Sequence, residues 1–192
     1  LPPFQGGMAG LFGYELGGYI ERLPQLPSSG MSTPDMAVGV YDQVLAFDHH
    51  KNKAWIITHA HDEEEAKGKR LFLLNVVKNG KKLPQDKNPF VEWAAEETKE
   101  SFEKKVDRVV EYIRAGDIFQ ANLAQRFSAQ IPEGFHPFVH YLTLREINPA
   151  PFAAFMNGGD FTLSSASPER FLSARNGMVE TRPIKGTRPR GD

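Results

Sequence analysis

The sequence holds no cysteine in 192 residues. That excludes disulfides, thiolate metal sites and a cysteine nucleophile together, and it is compatible with a reducing cytoplasm. Charge of one sign is also lacking, since 23 Lys and Arg against 24 Asp and Glu leave a formal net charge of -1. Electrostatics therefore calls for no polyanionic partner such as nucleic acid. No apolar run approaches the roughly 20 residues that cross a bilayer, and the first residues carry no basic segment followed by an apolar signal region. The expectation is a soluble, cytoplasmic protein with neither nucleic acid nor membrane as partner. What is present is ordinary globular material, 40% hydrophobic, and long enough for one sizeable core or two lobes.

Several patterns that often carry chemistry are incomplete here. His136 and His140 stand four residues apart like zinc ligands on a helix. No Glu or third His accompanies them as in a zinc-protease helix, so a capped or half-buried helix face is the simpler reading. His49 and His50, and His59 and His61, fall near expected strand ends and read as solvated turn residues. The glycines of residues 6–18 lack the Gly-Lys-Ser/Thr ending of a phosphate loop, and their spacing fails the dinucleotide fingerprint. No metal ligand is expected in this chain.

Periodicity organises the rest. Residues 36–47 and 53–59 are rich in Val, Ile, Tyr and Trp and flank His49-His50-Lys51-Asn52, which predicts an antiparallel pair joined by a hairpin. Asp62 with Glu65 three residues on forms a capping-box pattern, and Leu71, Leu74 and Val77 continue at helical spacing until Asn79-Gly80. Residues 81–89, rich in Lys, Pro and Asn, read as a loop or linker. A second helix is predicted over residues 98–115, with Phe102, Val106, Val109 and Ile113 on one face and Gly116 beyond its end. Residues 118–128 alternate as a strand would, placing Gln120 and Asn122 on one face. A helix over 136–147 and short strands over 152–156, 161–165, 170–174 and 178–182 complete the pattern. Strand pairs interspersed with separate helices argue for an α+β fold, divided into residues 1–90 and residues 91–192.

Chemistry concentrates near the end. In Thr181-Arg182-Pro183-Ile184-Lys185-Gly186-Thr187-Arg188-Pro189-Arg190-Gly191, Pro183 fixes one backbone angle and Gly186 permits conformations closed to other residues. Lys185 is thus presented from a stiff turn as a candidate nucleophile, although composition alone also fits a solvated basic loop. An exposed Lys has a pKa of about 10.4, so a nucleophilic role requires desolvation or cationic neighbours such as Arg182 and Arg188. Glu169, between Pro168 and Arg170, reads by itself as half of a surface ion pair with Arg170.

Three segments weigh against the plainer readings. They are Gly116-Asp117-Ile118-Phe119-Gln120-Ala121-Asn122-Leu123-Ala124-Gln125-Arg126-Phe127, Ser167-Pro168-Glu169-Arg170-Phe171, and the Lys185 loop. In this order they resemble the chorismate-utilising enzymes. Gly6-Gly7-Met8-Ala9-Gly10-Leu11-Phe12-Gly13-Tyr14-Glu15-Leu16 and the segment from Pro34 through Asp42 extend the resemblance over essentially the whole chain. The Pro-Ile-Lys-Gly-Thr form of the loop is similar to the branch of aminodeoxychorismate synthase component I, where the anthranilate synthase component I branch typically carries Ala in place of Lys185.

The resemblance implies two antiparallel sheets packed face to face with outer helices, of which residues 91–192 would be the first part of the chorismate-binding catalytic region. It implies that the Lys185 amine adds to the chorismate ring with loss of the 4-hydroxyl, protonated by Glu169, and that ammonia from a glutamine amidotransferase partner then displaces it to give 4-amino-4-deoxychorismate for folate synthesis. Gly186 and Thr187 would hold a substrate carboxylate, or else simply close the turn. At the position of Gln120, isochorismate synthases carry a Lys base; a neutral amide cannot take a proton from water at useful rates, so Gln120 argues against that reaction. Pro151, Phe152 and Ala153 are similar to a segment that lines a tryptophan pocket, inhibitory or structural, and equally suit an extended approach to a core strand. Magnesium is implied as cofactor. Its carboxylate ligands, a Gly-Ala-Pro-Lys loop and a clamping Arg would lie in a later half, so the chain is expected to be an internal fragment. The alternatives are an anthranilate synthase component or a catalytically incomplete binding or assembly module.

Overall fold

The computed structural model describes residues 1–24, 30, 33–83 and 88–186. Strands and helices alternate along it in an α+β arrangement, and every strand pair is antiparallel. The chain divides into two compact units, Leu1–Leu83 together with His140–Asp192, and Pro84–Val139.

In the first unit, β1 (Gly7–Phe12) pairs with β2 (Met36–Tyr41), Gly7 facing Tyr41 and Phe12 facing Met36. The glycine-rich sequence of β1 hides its strand character, because Gly contributes no alternating side-chain pattern. One of these glycines is dictated by the pairing: a Cβ at Gly10 would run into the Ala37 carbonyl. The single strand expected over 36–47 is two, β2 and β3 (Gln43–Asp48), interrupted at Asp42. There the Asp42 carbonyl accepts the His59 N–H at 2.7 Å, so the chain changes partner. β3 pairs with β4 (Lys53–Thr58), as the hairpin reading predicts. The turn between them is closed by Lys51 N–H donating to Asp48 Oδ1 at 2.9 Å, with Asn52 in the left-handed region.

Helix α1 (Glu63–Asn79) begins as its sequence demands, with Asp62 Oδ1 accepting the Glu65 N–H at 2.8 Å. The Glu65 carboxylate reaches back to the His61 N–H, also at 2.8 Å, one residue before the cap. Lys69, one turn later, donates to Asp42 Oδ2 at 2.6 Å, to the His59 carbonyl at 2.7 Å and to Glu65 Oε1 at 2.8 Å. This one ammonium ties the helix to both strands of the β3–β4 hairpin at its open end. It holds the Asp42 and Glu65 carboxyls below the usual carboxylate range, and those bonds raise its own pKa.

Helix α3 (Pro137–Ile147) carries Tyr141, the one buried apolar side chain among the described residues. Its ring lies 5.6 Å from that of Phe155 on β7 (Phe152–Asn157). β7 pairs along its full length with β8 (Thr162–Ser167), placing Phe152 opposite Ser167. The short hairpin of β9 (Ser173–Arg175) and β10 (Met178–Glu180) follows. With so little buried, ladders, caps and ion pairs rather than a large apolar core hold these elements.

In the second unit, β5 (Ala94–Ala95) pairs with β6 (Phe127–Ser128). Helix α2 (Lys99–Ala115) starts at Thr98, whose Oγ1 accepts the Ser101 N–H at 3.2 Å. It ends at Gly116, left-handed at φ 85°, whose N–H meets the Ile113 carbonyl at 3.2 Å while Asp117 N–H reaches Tyr112 at 3.0 Å. The strand expected over 118–128 forms only at its last two residues, beyond which the Arg126 carbonyl still accepts the Glu96 N–H at 2.9 Å and residues 118–125 are not in a strand. Alternation gives a strand its faces, but only a neighbouring edge satisfies its backbone. Asn88 caps the other end of this unit: its side chain accepts the His136 N–H at 2.7 Å and donates to the His136 carbonyl at 3.1 Å.

Candidate active site

The site is built on the β9–β10 hairpin. Its backbone ladder runs from Met178 opposite Arg175 to Glu180 opposite Ser173, and Pro183, lacking an N–H, cannot extend a full ladder further. Side chains continue the pairing instead. Thr181 Oγ1 donates to the Phe171 carbonyl at 2.9 Å, and the Ile184 N–H donates to Glu169 Oε2 at 3.0 Å. Ile184 occupies the position that the register, carried on, sets opposite Glu169. The Glu169 carboxylate thereby holds the residue immediately before Lys185. Glu169, Lys185 and Gly186 are all exposed, and Ser167 Oγ donates to the Glu169 carbonyl at 3.2 Å.

The ion pair between Glu169 and Arg170 that the local sequence suggests is not the one formed. Arg170 Nη1 instead meets Glu180 Oε1 at 2.9 Å, with its guanidinium 5.5 Å from the centre of the Phe152 ring. The other Glu180 oxygen, Oε2, takes Arg182 Nη2 at 2.9 Å. The bond to Arg182, with the charges of Arg182 and Arg170, holds the Glu180 carboxyl below the usual carboxylate range. Arg182 is thus met by a carboxylate, so its charge is offset where a cationic neighbour for Lys185 was expected. Glu180 escapes sequence reasoning because a Glu two residues from an Arg on a strand is commonplace; the signal available was its place opposite Ser173, three residues from Arg170.

The other expected residues are more scattered. Phe152 and Ala153 open β7, and Phe152 touches the site through Arg170. Pro151 lies in the preceding turn, which the Ala153 N–H closes on the Ala150 carbonyl at 3.2 Å. Gln120 belongs to the second unit and is exposed; with no strand there, the shared face with Asn122 lapses. Thr187, Arg188 and Arg190 lie outside the described residues. Among the described residues no three His, Asp or Glu side chains come together to hold a metal ion. No helix among the described residues is long and apolar enough to cross a membrane.

Comparison with known proteins gives a consistent picture. A family model described as chorismate binding enzyme matches residues 2–192. Aminodeoxychorismate synthase component 1 of Bacillus subtilis is 37% identical over 99% of this chain and 41% of its own length. Its counterpart in Escherichia coli is 38% identical over 98% of this chain and 40% of its own. Anthranilate synthase component 1 of Thermus thermophilus is 40% identical over 100% of this chain and 41% of its own. Among solved structures, anthranilate synthase component I of Streptococcus pneumoniae superposes with a TM-score of 0.80 at 34% identity, over 92% of this chain and 42% of that one. The chain spans about two fifths of the length of these relatives, and the antiparallel pairs and helices described above are part of that fold.

Proposed function

The chain belongs to the chorismate binding enzymes, and from that premise we propose that it carries the nucleophile and the general acid of an enzyme that aminates chorismate to 4-amino-4-deoxychorismate. Overall identity does not choose between the two reactions of its relatives, at 37% and 38% against 40%. The residue that favours amination through an enzyme-bound intermediate is Lys185. The observation that carries the reading is the Ile184 N–H to Glu169 bond, which couples the Lys185 loop to an acid.

In this reading the neutral Lys185 nitrogen forms a bond to the chorismate ring. The ring carbon's bond to the 4-hydroxyl oxygen breaks, and Glu169 protonates that oxygen so that it leaves as water, because hydroxide is a poor leaving group. The Glu169 carboxylate recovers a proton from the resulting ammonium. As ammonia adds to the ring, Glu169 returns that proton to the Lys185 nitrogen and the bond to Lys185 breaks, regenerating the amine; the carboxylate then takes a proton from the new ammonium, so the net change is one ammonia in and one water out. By the resemblance, Gly186 and Thr187 would hold a substrate carboxylate, and Gln120 would be a substrate-binding residue whose neutral amide does not act as a base. Lys185 is exposed, so the desolvation a neutral amine requires has to come from bound substrate or from protein that covers the loop. Supply of ammonia by a glutamine amidotransferase, a requirement for magnesium, a place in folate synthesis, assignment of residues 91–192 to the catalytic region and tryptophan at Pro151, Phe152 and Ala153 belong to the same proposal and rest on the resemblance.

The test is the intact mass of the full-length natural protein after incubation with chorismate and Mg²⁺, with Lys185→Ala alongside. An adduct on the wild type alone supports the reading. No adduct, with equal ammonia-dependent product from both proteins, overturns it in favour of an anthranilate-type direct addition.

A further inference from the structure

Resting on that reading, we propose that Glu180 is a positioning residue whose task is to keep Arg170 away from Glu169. Arg170 is the immediate neighbour of Glu169, and an uncommitted guanidinium there would pair with the acid, since opposite charges within about 4–6 Å favour each other's ionised forms. A general acid held ionised cannot donate. The structure shows Arg170 committed elsewhere, with Glu180 Oε1 at 2.9 Å on one side and the face of Phe152 at 5.5 Å on the other. Glu169 is left with a neutral partner, the Ile184 N–H. The charged groups on the two facing segments are Glu169, Arg170 and, at the turn end, Arg175 on one, and Glu180, Arg182 and Lys185 on the other. Arg182 is taken by the second oxygen of Glu180, and β7 contributes the uncharged Phe152. One carboxylate therefore pairs with both guanidinium groups that flank the proposed catalytic pair, and it does so from the last ladder position before Pro183.

The experiment is the pH profile of kcat for chorismate amination in the full-length natural protein. Its falling limb at higher pH reports loss of the Glu169 proton. In Glu180→Gln the freed Arg170 pairs with Glu169 and moves that limb down by about one pH unit, lowering kcat above it about tenfold, while KM for chorismate stays within about twofold. In Glu180→Asp, which keeps the charge, the limb stays in place. In the double variant Arg170→Gln with Glu180→Gln it returns to the wild-type position, because the misplaced cation is gone. An unmoved limb in Glu180→Gln, or a limb still displaced in the double variant, overturns the assignment and leaves Glu180 a structural tie. Glu169→Gln separates this from failure of the underlying reading. If that variant keeps wild-type kcat, Glu169 is not the acid and both fall; if it is inactive while the Glu180→Gln limb stays put, only the role of Glu180 falls.

Discussion

Glu169 is given two jobs by its geometry, and a substitution series separates them. Its Oε2 accepts the Ile184 N–H at 3.0 Å, which holds the Lys185 loop, and its proton is assigned to the departing hydroxyl. Gln keeps an oxygen at the same reach and loses the proton. Asp keeps the proton but withdraws the carboxyl by one carbon–carbon bond, about 1.5 Å, which stretches the tie to about 4.5 Å and beyond hydrogen-bond range. Ala loses both. Both partners are exposed, so the tie contributes on the order of 1 kcal/mol or less. Removing general acid catalysis costs about 10²–10⁴ in rate, roughly 3–5 kcal/mol of barrier. The proton therefore dominates. Initial rates of 4-amino-4-deoxychorismate formation with chorismate, Mg²⁺ and ammonium should fall about 10²–10⁴-fold for Glu169→Gln, less for Glu169→Asp, and at least as far as Gln for Glu169→Ala. A Gln variant within about threefold of wild type, at unchanged melting temperature, would refute the assignment.

Two further expectations concern stability. The folded-state pKa values of Asp42 and Glu65 are lowered by Lys69, so the stability they contribute is present above the ordinary carboxylate range and is lost as pH falls through and below about 4. Lys69, with its pKa raised, contributes fully below its ordinary value and loses that contribution only as pH climbs through the higher folded one, above about 10.5. Thermal melts of Lys69→Met across pH 3–7 should show a shallower acid slope than the wild type, and parallel slopes would sink the idea. Tyr141→Ala removes the one buried apolar side chain and its contact with Phe155. Scanning calorimetry should register a loss of about 3 kcal/mol, or roughly 6–12 °C at this size, whereas a fall under 2 °C would mean that α3 is not held by that ring.

The features legible in advance were those whose signal lies within one turn of chain. Asp62 with Glu65, Thr98 with Gly116 and the turn at Asn52 each satisfy backbone groups a few residues away, so their sequences determine them almost alone. Lys185 in its Pro- and Gly-bounded loop and Glu169 after Pro168 stood out for the same local reason. Partner choice across the chain was not legible. β1, whose glycines carry no alternating pattern, became a strand only because β2 supplied an edge, residues 118–125 have a strand's alternation yet form none, and Arg170 turned from its neighbour Glu169 to Glu180 across the hairpin. Sequence by itself thus determined which residues could cap, turn and react. Only the tertiary structure decided which charges meet and which backbone groups find a ladder, because those energies depend on distances between segments far apart in the chain, and a register or a guanidinium satisfied in one place is no longer available in another.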